Sequence, residues 1–527
     1  MLSPRLHRPA RAATAAVLLA ASAGAAVAYS PPRAAATTLI PYQFIAKSYT
    51  EGLGRVPDQA GWGVELYDFQ TNGCTAQVLA GEANRVLESP EFANLGYSNP
   101  AKIEVAYRTI LNREPDSAGY TFYLNYLNGG SSWASMLTYF EASPEFTNLA
   151  ATICSTPDYG FGTGAPVALS PTGTGYSGSE AGLQSLLNST PYGGTVSLAE
   201  RALIPLTSTL VVPAGVTLAT YGEVPSTGQN YAELGRLARQ PGWSGESVHL
   251  GGGANLNHVW VDGDRLRESS YDRLRFNIIA YGGSGTTIQY DRIGNTAGAT
   301  DLELQGVSSG YPCSGAVVNH NLIDAYTSTH NATSPSDGIS DGCEGSQITG
   351  NGVVDASDVA IILFAGTAAV PQASNVSGNS VVQSGHGANA LLATDGSTGQ
   401  TSSTPLPFQG SSVHDNTIWT SPTAISTFGI ADGTYGWFGT SATAGTGASI
   451  TNNTSGSYSV TANTGIAVSG MLNTTVTGNT ITWNNGTDPL NPSCPYAAVG
   501  ASVSAGYASG NIQQPYTNQL YTKCIFW

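Results

Sequence analysis

One stretch of the sequence concentrates acidic residues that could act as a general acid and a general base. The run Ser336-Asp337-Gly-Ile-Ser-Asp341-Gly-Cys343-Glu344 is followed by Asp355-Ala-Ser-Asp358. Two carboxyl groups held close together keep one proton between them, because a second negative charge nearby is unfavourable. Such a pair can hydrolyse a glycosidic bond. We therefore take Asp337 and Asp358 as the candidate acid and base, with Asp341 in support.

The same stretch supplies oxygen ligands that would suit Ca²⁺, with Asp355 and Glu344 as the candidate ligands. No Asp-x-Asp-x-Asp-Gly loop is present, so the sequence specifies calcium only weakly, and hydrolysis by two carboxyl groups requires no cofactor. A third interpretation applies to each acid, because Asp beside Gly often forms an Asx turn.

Aromatic side chains could provide stacking platforms for the apolar faces of sugar rings. The candidates are Trp419, Tyr435 and Trp437, and Trp437-Phe438 is flanked by Gly436 and Gly439, which indicates a loop. Packing beneath a loop is the structural alternative for these side chains.

A repeated pattern must position these groups. From about residue 180, the pattern hydrophobic-polar-polar-Asn-x-hydrophobic recurs with spacings of 30, 28, 37, 37 and 26 residues between its asparagines. Stacked coils of three short strands fit this spacing, with apolar residues inside and an Asn ladder at one turn. Blade signatures of a β-propeller are absent. The asparagines are Asn321, Asn351, Asn379, Asn416, Asn453 and Asn479.

The pattern predicts a right-handed parallel β-helix solenoid, in which neighbouring coils lie about 4.8 Å apart. Asp337 and Asp358 are 21 residues apart, about one coil, so their carboxyl groups should be close. The segments 194–198 and 210–218 resemble the first coils of pectate-lyase-like β-helix proteins, and a helix at 181–187 would cover the open end of the core.

The acidic stretch also resembles the polygalacturonase pattern, in which acids and a Gly-His-Gly turn lie on successive coils. The resemblance assigns the first acid to Asp337, the second to Asp358 and the histidine to His386, between Gly385 and Gly387. His386 is therefore a further catalytic candidate, although an exposed turn histidine is the alternative. Two features depart from the family: the tandem Asp-Asp is missing, and so is the basic turn after the histidine.

Arginine is the base in pectate-type lyases, where calcium neutralises the uronate. The arginines here concentrate at 265–275 and Arg292, interleaved with acids, which favours ion pairs on a solvated face. No Lys or Arg occurs between Arg292 and Lys523, so a uronate would find no cation there. A neutral glycan is therefore favoured, and a calcium-assisted polysaccharide lyase is the less favoured alternative.

The region before the solenoid contains a duplication. Leu53-Gly-Arg-Val-Pro-Asp matches Leu111-Asn-Arg-Glu-Pro-Asp, and Ser89-Pro-Glu-Phe matches Ser143-Pro-Glu-Phe. Ser before Pro-Glu is typical of a helix N-terminus, so two helical repeats are predicted over 40–155. The pattern resembles a bacterial domain of unknown function found in exported proteins. A Gly/Ser/Thr/Pro-rich stretch, 156–179, is predicted to be a linker.

The six cysteines fall into three pairs along the chain, with no zinc-type spacing. Proximity in sequence favours Cys74–Cys154, Cys313–Cys343 and Cys494–Cys524, although six cysteines allow fifteen connectivities.

Residues 1–28 have arginines, an apolar run and an Ala-Val-Ala end, which together predict a secretory signal peptide. The alternative is an Ala-rich or anchoring terminus. Charged residues make up only 10% of the 527, and the formal net charge is −16. Nucleic acid and anionic membranes are disfavoured as partners, because both require clustered positive charge. No later stretch predicts a membrane span.

The sequence thus predicts a mainly β chain: signal peptide 1–28, small all-α domain 40–155, linker 156–179 and right-handed parallel β-helix 180–527. The expected function is that of a secreted, extracellular, monomeric protein acting on a polysaccharide or cell-surface glycan, most plausibly a glycosidase with paired carboxylates. The alternative is a non-catalytic glycan-binding or structural protein of the cell surface or matrix. The two differ in whether Asp337, Asp341 and Asp358 converge on an open groove near aromatic residues.

Overall fold

A computed structural model describes most of the chain from residue 39 onward. Two groups of elements, one helical and one built from short strands, make up this part, and residues 39–527 form one compact unit. The predicted signal peptide lies outside the described residues. These are 39–156, 158–159, 164–222, 230–263, 270–306, 310–325, 330, 333–365, 369–396, 404–438, 442–492, 494, 503–504 and 511–512.

Within the ranges given above, eight helices form the N-terminal region, a ninth leads into the strands and a tenth lies in a late loop. In the described part of the chain, no helix is long and apolar enough to cross a membrane. The helices are α1 Tyr42–Leu53, α2 Gln59–Asn72, α3 Ala76–Leu87, α4 Pro90–Asn94, α5 Asn99–Leu111, α6 Ser117–Asn128, α7 Trp133–Glu141, α8 Pro144–Ile153, α9 Glu180–Ser189 and α10 Tyr435–Phe438, with one 3₁₀ turn at Tyr231–Glu233.

The strands are short, and most have two to five residues. They are β1 Thr195–Leu198, β2 Leu203–Leu206, β3 Leu210–Val212, β4 Thr217–Thr220, β5 Gly235–Arg239, β6 Gly245–Leu250, β7 Asn255–Asn257, β8 Val259–Asp262, β9 Asp272–Tyr281, β10 Gly283–Ser284, β11 Thr287–Gln289, β12 Arg292–Gly294, β13 Gly298–Gln305, β14 Cys313–Ser314, β15 Val317–Asn319, β16 Leu322–Asp324, β17 Asp337–Asp341, β18 Gln347–Thr349, β19 Gly352–Val354, β20 Val359–Ala365, β21 Asn375–Ser377, β22 Ser380–Gln383, β23 Ala390–Gly396, β24 Leu406–Pro407, β25 Ser412–His414, β26 Thr417–Thr420, β27 Ser426–Asp432, β28 Gly445–Thr446, β29 Ser449–Thr451, β30 Val460–Val468, β31 Met471–Leu472, β32 Thr474–Thr477, β33 Thr480–Ile481, β34 Trp483–Asn485, β35 Val503–Ser504 and β36 Asn511–Ile512.

The strands stack into three long sheets, and each of the first eight coils gives one strand to each sheet. The first sheet has the order β1-β4-β7-β11-β15-β18-β21-β25-β29-β32-β36, and the second is β2-β5-β8-β12-β16-β19-β22-β26. The third is β3-β6-β9-β13-β17-β20-β23-β27-β30-β34. Pairing within them is parallel, apart from β32 with β36. The predicted parallel β-helix after a helical region is therefore confirmed.

Alternation along each strand builds the core. In the three-residue strands of the first sheet, the central residue is apolar and buried, and its flanking residues are more exposed. The in-register pairing stacks these central residues above one another, so each coil buries its apolar side chain on the previous one. Helix α9 covers the first coil with Leu183 and Leu187, as predicted for the end of the solenoid. The stack is Leu218, Leu256, Ile288, Val318, Ile348, Val376, Val413, Ile450 and Val476.

The predicted asparagine ladder is present at the turn between the first and second sheets. Asn379 Nδ2 donates to Asn416 Oδ1 at 2.9 Å, and Asn416 Nδ2 donates to Asn453 Oδ1 at 2.9 Å. Each amide also donates to a backbone carbonyl, as Asn416 does to Val376 O at 3.0 Å. The buried polar turn is thereby satisfied coil by coil, and the ladder fixes the register.

The signature residues of the helical duplication have matching roles in both repeats. Asp58 and Asp116 are N-caps, accepting from Gly61 N at 2.8 Å and Gly119 N at 2.9 Å. The motif arginine of each repeat forms an ion pair with the glutamate of its Ser-Pro-Glu sequence: Arg55 with Glu91 and Arg113 with Glu145. The repeated motif thus encodes helix starts and a bridge between helices.

The helical region covers the outer face of the second sheet. Trp62 meets Trp419 edge-on, with 6.4 Å between ring centroids. Buried charges join the two regions: Glu51 accepts from Arg292 at 2.9 Å, and Glu104 accepts from Arg236 at 2.6 Å. The helices and the solenoid therefore share one continuous buried interface.

In the segment predicted to be a linker, Thr172 forms a backbone bridge with Glu200, and Tyr176 forms one with Leu198. The predicted domain boundaries remain predictions. Two of the predicted disulfides are present, Cys74–Cys154 and Cys313–Cys343. The third requires Cys524, which lies outside the described residues.

Candidate active site

A groove of about 340 Å³ lies on the outward face of the third sheet. The strands β9, β13, β17, β20 and β23 form it, together with helix α10. Leu302, Ile339 and Ile361 point into the core, so their neighbours Glu303, Ser340 and Ile362 face the groove. The polar lining consists of Tyr271, Arg273, Thr300, Glu303, Gln305, Asp337, Ser340, Asp358 and Asp395, and the apolar lining includes Phe276, Val359, Ile362, Phe364, Trp437 and Phe438.

Asp337 and Asp358 both line this groove. Asp337 is the first residue of β17, and Asp358 immediately precedes β20. The register pairs Ile339 with Ile361, so Val359 rather than Asp358 is level with Asp337. Val359 N donates to Asp337 Oδ1 at 2.9 Å, which fixes one carboxyl beside the other. The one-coil spacing therefore brings the two candidate acids together, displaced by one residue.

The surroundings of the two carboxyl groups differ. Burial raises the pKa of Asp337 well above its usual range, and the negative charge of Asp358 raises it further. Burial also raises the pKa of Asp358, but a hydrogen bond from Asn389 and the positive charges of His330 and Arg273 oppose that rise. Of the two carboxyl groups, Asp337 is therefore the one that favours its proton more strongly.

A chain of hydrogen bonds behind Asp358 fixes its orientation. Asn389 Nδ2 donates to Asp358 Oδ1 at 2.7 Å, and Asn491 Nδ2 donates to Asn389 Oδ1 at 2.8 Å. Asn491 also contacts Asp488 Oδ2 at 3.1 Å, which lies 3.0 Å from His330 Nε2. The other ring nitrogen of His330 lies 2.9 Å from the carbonyl of Ser357. Both ring nitrogens of His330 thus face oxygen atoms, and this holds the ring in place near Asp358.

Glu303 is a third acid in the groove, on the strand before Asp337. Burial raises its pKa to about 7, although the Gln305 amide donates a hydrogen bond to it. Sequence reasoning did not select Glu303, because the coil that separates it from Asp337 is long. The alternation Leu302-Glu303-Leu304, aligned with Ile339-Ser340-Asp341, is the signal that places Glu303 outward.

Arg273 brings a cation to the groove from an earlier coil. Sequence reasoning placed this arginine among ion pairs on a solvated face, and found no cation after Arg292. The structure places the Arg273 side chain in the groove lining, where its charge opposes the rise in the pKa of Asp358. Neighbouring Tyr271 donates to Pro335 O at 2.7 Å, which ties the segment before Asp337 to the groove wall.

The three predicted aromatic platforms have different positions. Trp437 lines the groove from α10 and packs against Phe428, with 6.0 Å between centroids. Tyr435 packs against the same apolar cluster without lining the groove. Trp419 is buried beneath the helical region, so its ring faces are closed to a ligand.

Asp341 and His386 lie away from the groove. Asp341 points into the solenoid, accepts from Cys343 N and Ser346 Oγ at 3.0 Å each, and is fully buried. Burial raises its pKa to about 7. His386 is also buried, with Nδ1 3.1 Å from Gly387 O. Asp341 points inward because of the alternation along its strand. The turn that carries His386 packs against Gln43 of α1 at Gly385 and against Ile425 of the solenoid at Gly387, which buries the histidine.

The candidate calcium ligands are separated from each other. Asp355 is fully buried and accepts from Ser384 Oγ at 2.6 Å and from the amide of Gly385. Glu344 directly follows Cys343 and precedes β18, whereas Asp355 directly follows β19. Within the described ranges, no group of three or more His, Cys, Asp or Glu side chains could hold a metal ion.

The fold and the groove define a parallel β-helix with an acid pair on one sheet face, joined to a helical region. Residues 83–150 match the family model described as a domain of unknown function, DUF4214, which agrees with the resemblance of the second repeat. No curated protein matches the sequence.

Among solved structures, the chain is similar to an alginate lyase from Paenibacillus sp., with 13% identity, a TM-score of 0.37, and coverage of 56% of this chain and 97% of that one. It is also similar to the tailspike protein of E. coli bacteriophage HK620 in complex with a pentasaccharide, with 13% identity, a TM-score of 0.37, and coverage of 58% of this chain and 59% of that one. A third similar structure is an endo-xylogalacturonan hydrolase from Aspergillus tubingensis, with 15% identity, a TM-score of 0.34, and coverage of 64% of this chain and 99% of that one. Values this low carry no information about the reaction or the ligand of this chain.

Proposed function

We propose that the chain is an exported glycosidase that cleaves a polysaccharide in the groove, with Asp337 as general acid and Asp358 as general base or nucleophile. The observation that carries the proposal is the unequal environment of two adjacent carboxyl groups that share one groove. Burial and the charge of Asp358 raise the pKa of Asp337 well above its usual range, whereas Asn389, His330 and Arg273 oppose the rise that burial causes in the pKa of Asp358. A glycosidase needs one carboxyl group in each state.

The groove favours a neutral glycan. Among the described residues, Glu303, Asp337, Asp358 and Asp395 line it together with one guanidinium, that of Arg273. A polyuronate would bring its carboxylates into this set of acidic side chains and would be repelled by those that are ionised. Phe438 and the buried Trp437 line the same groove, and the half-buried Phe438 offers apolar surface to a sugar ring.

The pH dependence follows from the two roles. The reaction requires the proton on Asp337, so the rate falls at high pH as Asp337 loses it. The reaction requires the charge on Asp358, so the rate falls at low pH as Asp358 gains a proton. A bell-shaped profile results, and its alkaline limb lies well above the usual range of an aspartate.

The experiment compares Asp337→Asn and Asp358→Asn with the unchanged protein on xylan, mannan, galactan and β-glucans, measuring reducing-end release. Each substitution should reduce the rate by on the order of 100- to 10,000-fold. Asp415→Asn is the matched control, because Asp415 is exposed and outside the groove lining, and its φ of 54° suits Asn.

Two results would contradict the proposal. In one, the unchanged protein releases no product from any of these polysaccharides. In the other, Asp337→Asn and Asp358→Asn retain full activity. Retention on a polysaccharide without turnover would support the alternative of a glycan-binding protein.

A further inference from the structure

The second helical repeat carries a group of four aromatic rings on α6 and α7, of which two are exposed and two are partly buried against the helical core. Phe122, Tyr123, Tyr126 and Tyr139 form this aromatic patch. Phe122 is 61% exposed and Tyr139 is 57% exposed. The rings of Phe122 and Tyr126 are stacked at 6.4 Å with 16° between their planes, and Tyr126 meets Tyr139 edge-on at 5.7 Å. Contiguous exposed apolar rings on a soluble protein commonly mark a binding surface.

The first repeat shows that helix packing does not require this patch. At the positions equivalent to Tyr123, Tyr126 and Tyr139, the first repeat has Glu65, Asp68 and Arg85. Those three residues form an ion triad, in which Arg85 Nε donates to Glu65 Oε2 at 3.0 Å and Arg85 Nη1 lies 2.8 Å from Asp68. The same pair of helices is therefore held by charges in one repeat and bordered by tyrosines in the other.

The segment that carries the patch is uncharged. No Asp, Glu, Lys, Arg or His occurs from Ser117 to Phe140. The exposed polar side chains beside the rings are amides and hydroxyls, among them Thr121, Asn125 and Thr138. This segment offers a ligand apolar ring faces and neutral hydrogen-bonding groups, and it contains no charged side chain.

A neutral polysaccharide has the complementary chemistry. A pyranose ring presents C–H groups on one face, and these carry slight positive charge that the negative face of an aromatic ring attracts. Its hydroxyl groups match amides and hydroxyls at the rim. We propose that the aromatic patch is a second glycan-binding site, separate from the groove, which holds a neutral polysaccharide chain. The choice of a glycan as the ligand rests on the proposed function of the groove.

The buried interface gives this site a consequence. The patch belongs to the region that the charges of Glu51 and Glu104 join to the solenoid. Patch and groove therefore keep a constant separation, and a polymer held at the patch stays at a raised local concentration near the groove.

The test measures retention of the full chain on insoluble cellulose, chitin, xylan and mannan, with alginate gel as a charged comparison. Asp337→Asn is the background, because it removes turnover and leaves the patch unchanged. Phe122→Ala with Tyr139→Ala should weaken retention on the neutral polysaccharide that the protein prefers by about ten-fold or more. Tyr67→Ala is the matched control, because Tyr67 is an equally exposed tyrosine of the first repeat.

A second variant guards against misfolding. Tyr123→Glu with Tyr126→Asp and Tyr139→Arg installs the ion triad of the first repeat, so it should fold with unchanged helix content and lose retention to the same extent. The proposal is overturned if both variants are retained like the parent, or if retention is equal on alginate. It is also overturned if sedimentation shows that the patch joins two copies of the chain. Turnover of soluble oligosaccharides by Phe122→Ala with Tyr139→Ala in an otherwise unchanged chain tests the groove independently.

Discussion

Arg292 is the last arginine before a long stretch without positive charge, and its replacement by Met should destabilise the protein in a pH-dependent way. The guanidinium is fully buried. Its Nε donates to Asp324 Oδ2 at 2.9 Å, its Nη2 donates to Glu51 Oε1 at 2.9 Å, and its plane lies 3.8 Å from the centroid of Tyr231. The side chain thus joins a strand of the second sheet to helix α1.

Of the two acids that Arg292 contacts, Asp324 is the one left without its ion-pair partner when Arg292 is replaced. Glu51 keeps Arg108, which donates to it at 2.7 and 3.0 Å, and the hydroxyl of Tyr231 at 2.8 Å. Asp324 is 1% exposed and loses the guanidinium. Removing one partner of a buried ion pair costs about 3–5 kcal/mol of the free energy of unfolding. We expect Arg292→Met to show a loss of this size at pH 8.

The sign of the pH effect follows from Asp324. Burial raises its pKa to about 6 even beside Arg292, and without Arg292 the pKa rises further. Above pH 6, the folded variant then binds a proton that both the unfolded chain and the unchanged protein have released. Its stability deficit therefore narrows as the pH falls from 8 to 6, by up to about 2.7 kcal/mol for one proton over two units.

Urea unfolding followed by tryptophan fluorescence measures this deficit, because Trp260 lies 4.8 Å from the guanidinium. The matched control is Arg292→Met with Asp324→Asn, which should recover much of the stability at pH 8 and lose the extra pH dependence. A deficit that stays constant from pH 8 to 6, or a loss below about 1 kcal/mol, would refute the reasoning.

Three further predictions concern groups outside the groove lining. Asn416→Ala removes four hydrogen bonds within the ladder and leaves their partners buried, so calorimetry should show a loss of at least about 3 kcal/mol, whereas exposed Asn484→Ala should cost little. The pKa of Asp341 is raised to about 7 in the folded state, so ionising it costs stability as the pH rises from about 4 to 7, and Asp341→Asn should remove that part of the loss. Chemical unfolding across this pH range measures the change in stability, and glycan turnover should be unchanged. Cys313→Ser with Cys343→Ser opens a link of 30 residues and should cost about 3–4 kcal/mol, measured by denaturant unfolding against the parent chain with both disulfides intact.

The periodic features of the fold could be predicted from sequence because each coil repeats the same local requirement. The asparagine ladder and the inward apolar residues follow from spacing alone, and coil spacing brought Asp337 near Asp358. Trp419 and His386 could not be placed in this way, because their burial depends on which sheet the helical region covers. Arg273 and Glu303 line the groove because of the strand register between coils that are long in sequence. The spacing of the sequence motifs does not specify that register.

The asparagine ladder also determines where the chain can lengthen. Its asparagines are 26 to 30 residues apart in three coils and 37 residues apart in two. The hydrogen bonds between their side-chain amides nevertheless all have lengths of 2.9–3.0 Å. In one of the two longer coils, the additional residues include α10, which follows β27 and brings Trp437 to the groove. Length is absorbed at a corner of the coil other than the ladder's own. Loops that line the groove can therefore be replaced without disturbing the coils. A different loop grafted between β27 and β28 should change which ligand the groove binds, while the strand register of the solenoid stays the same.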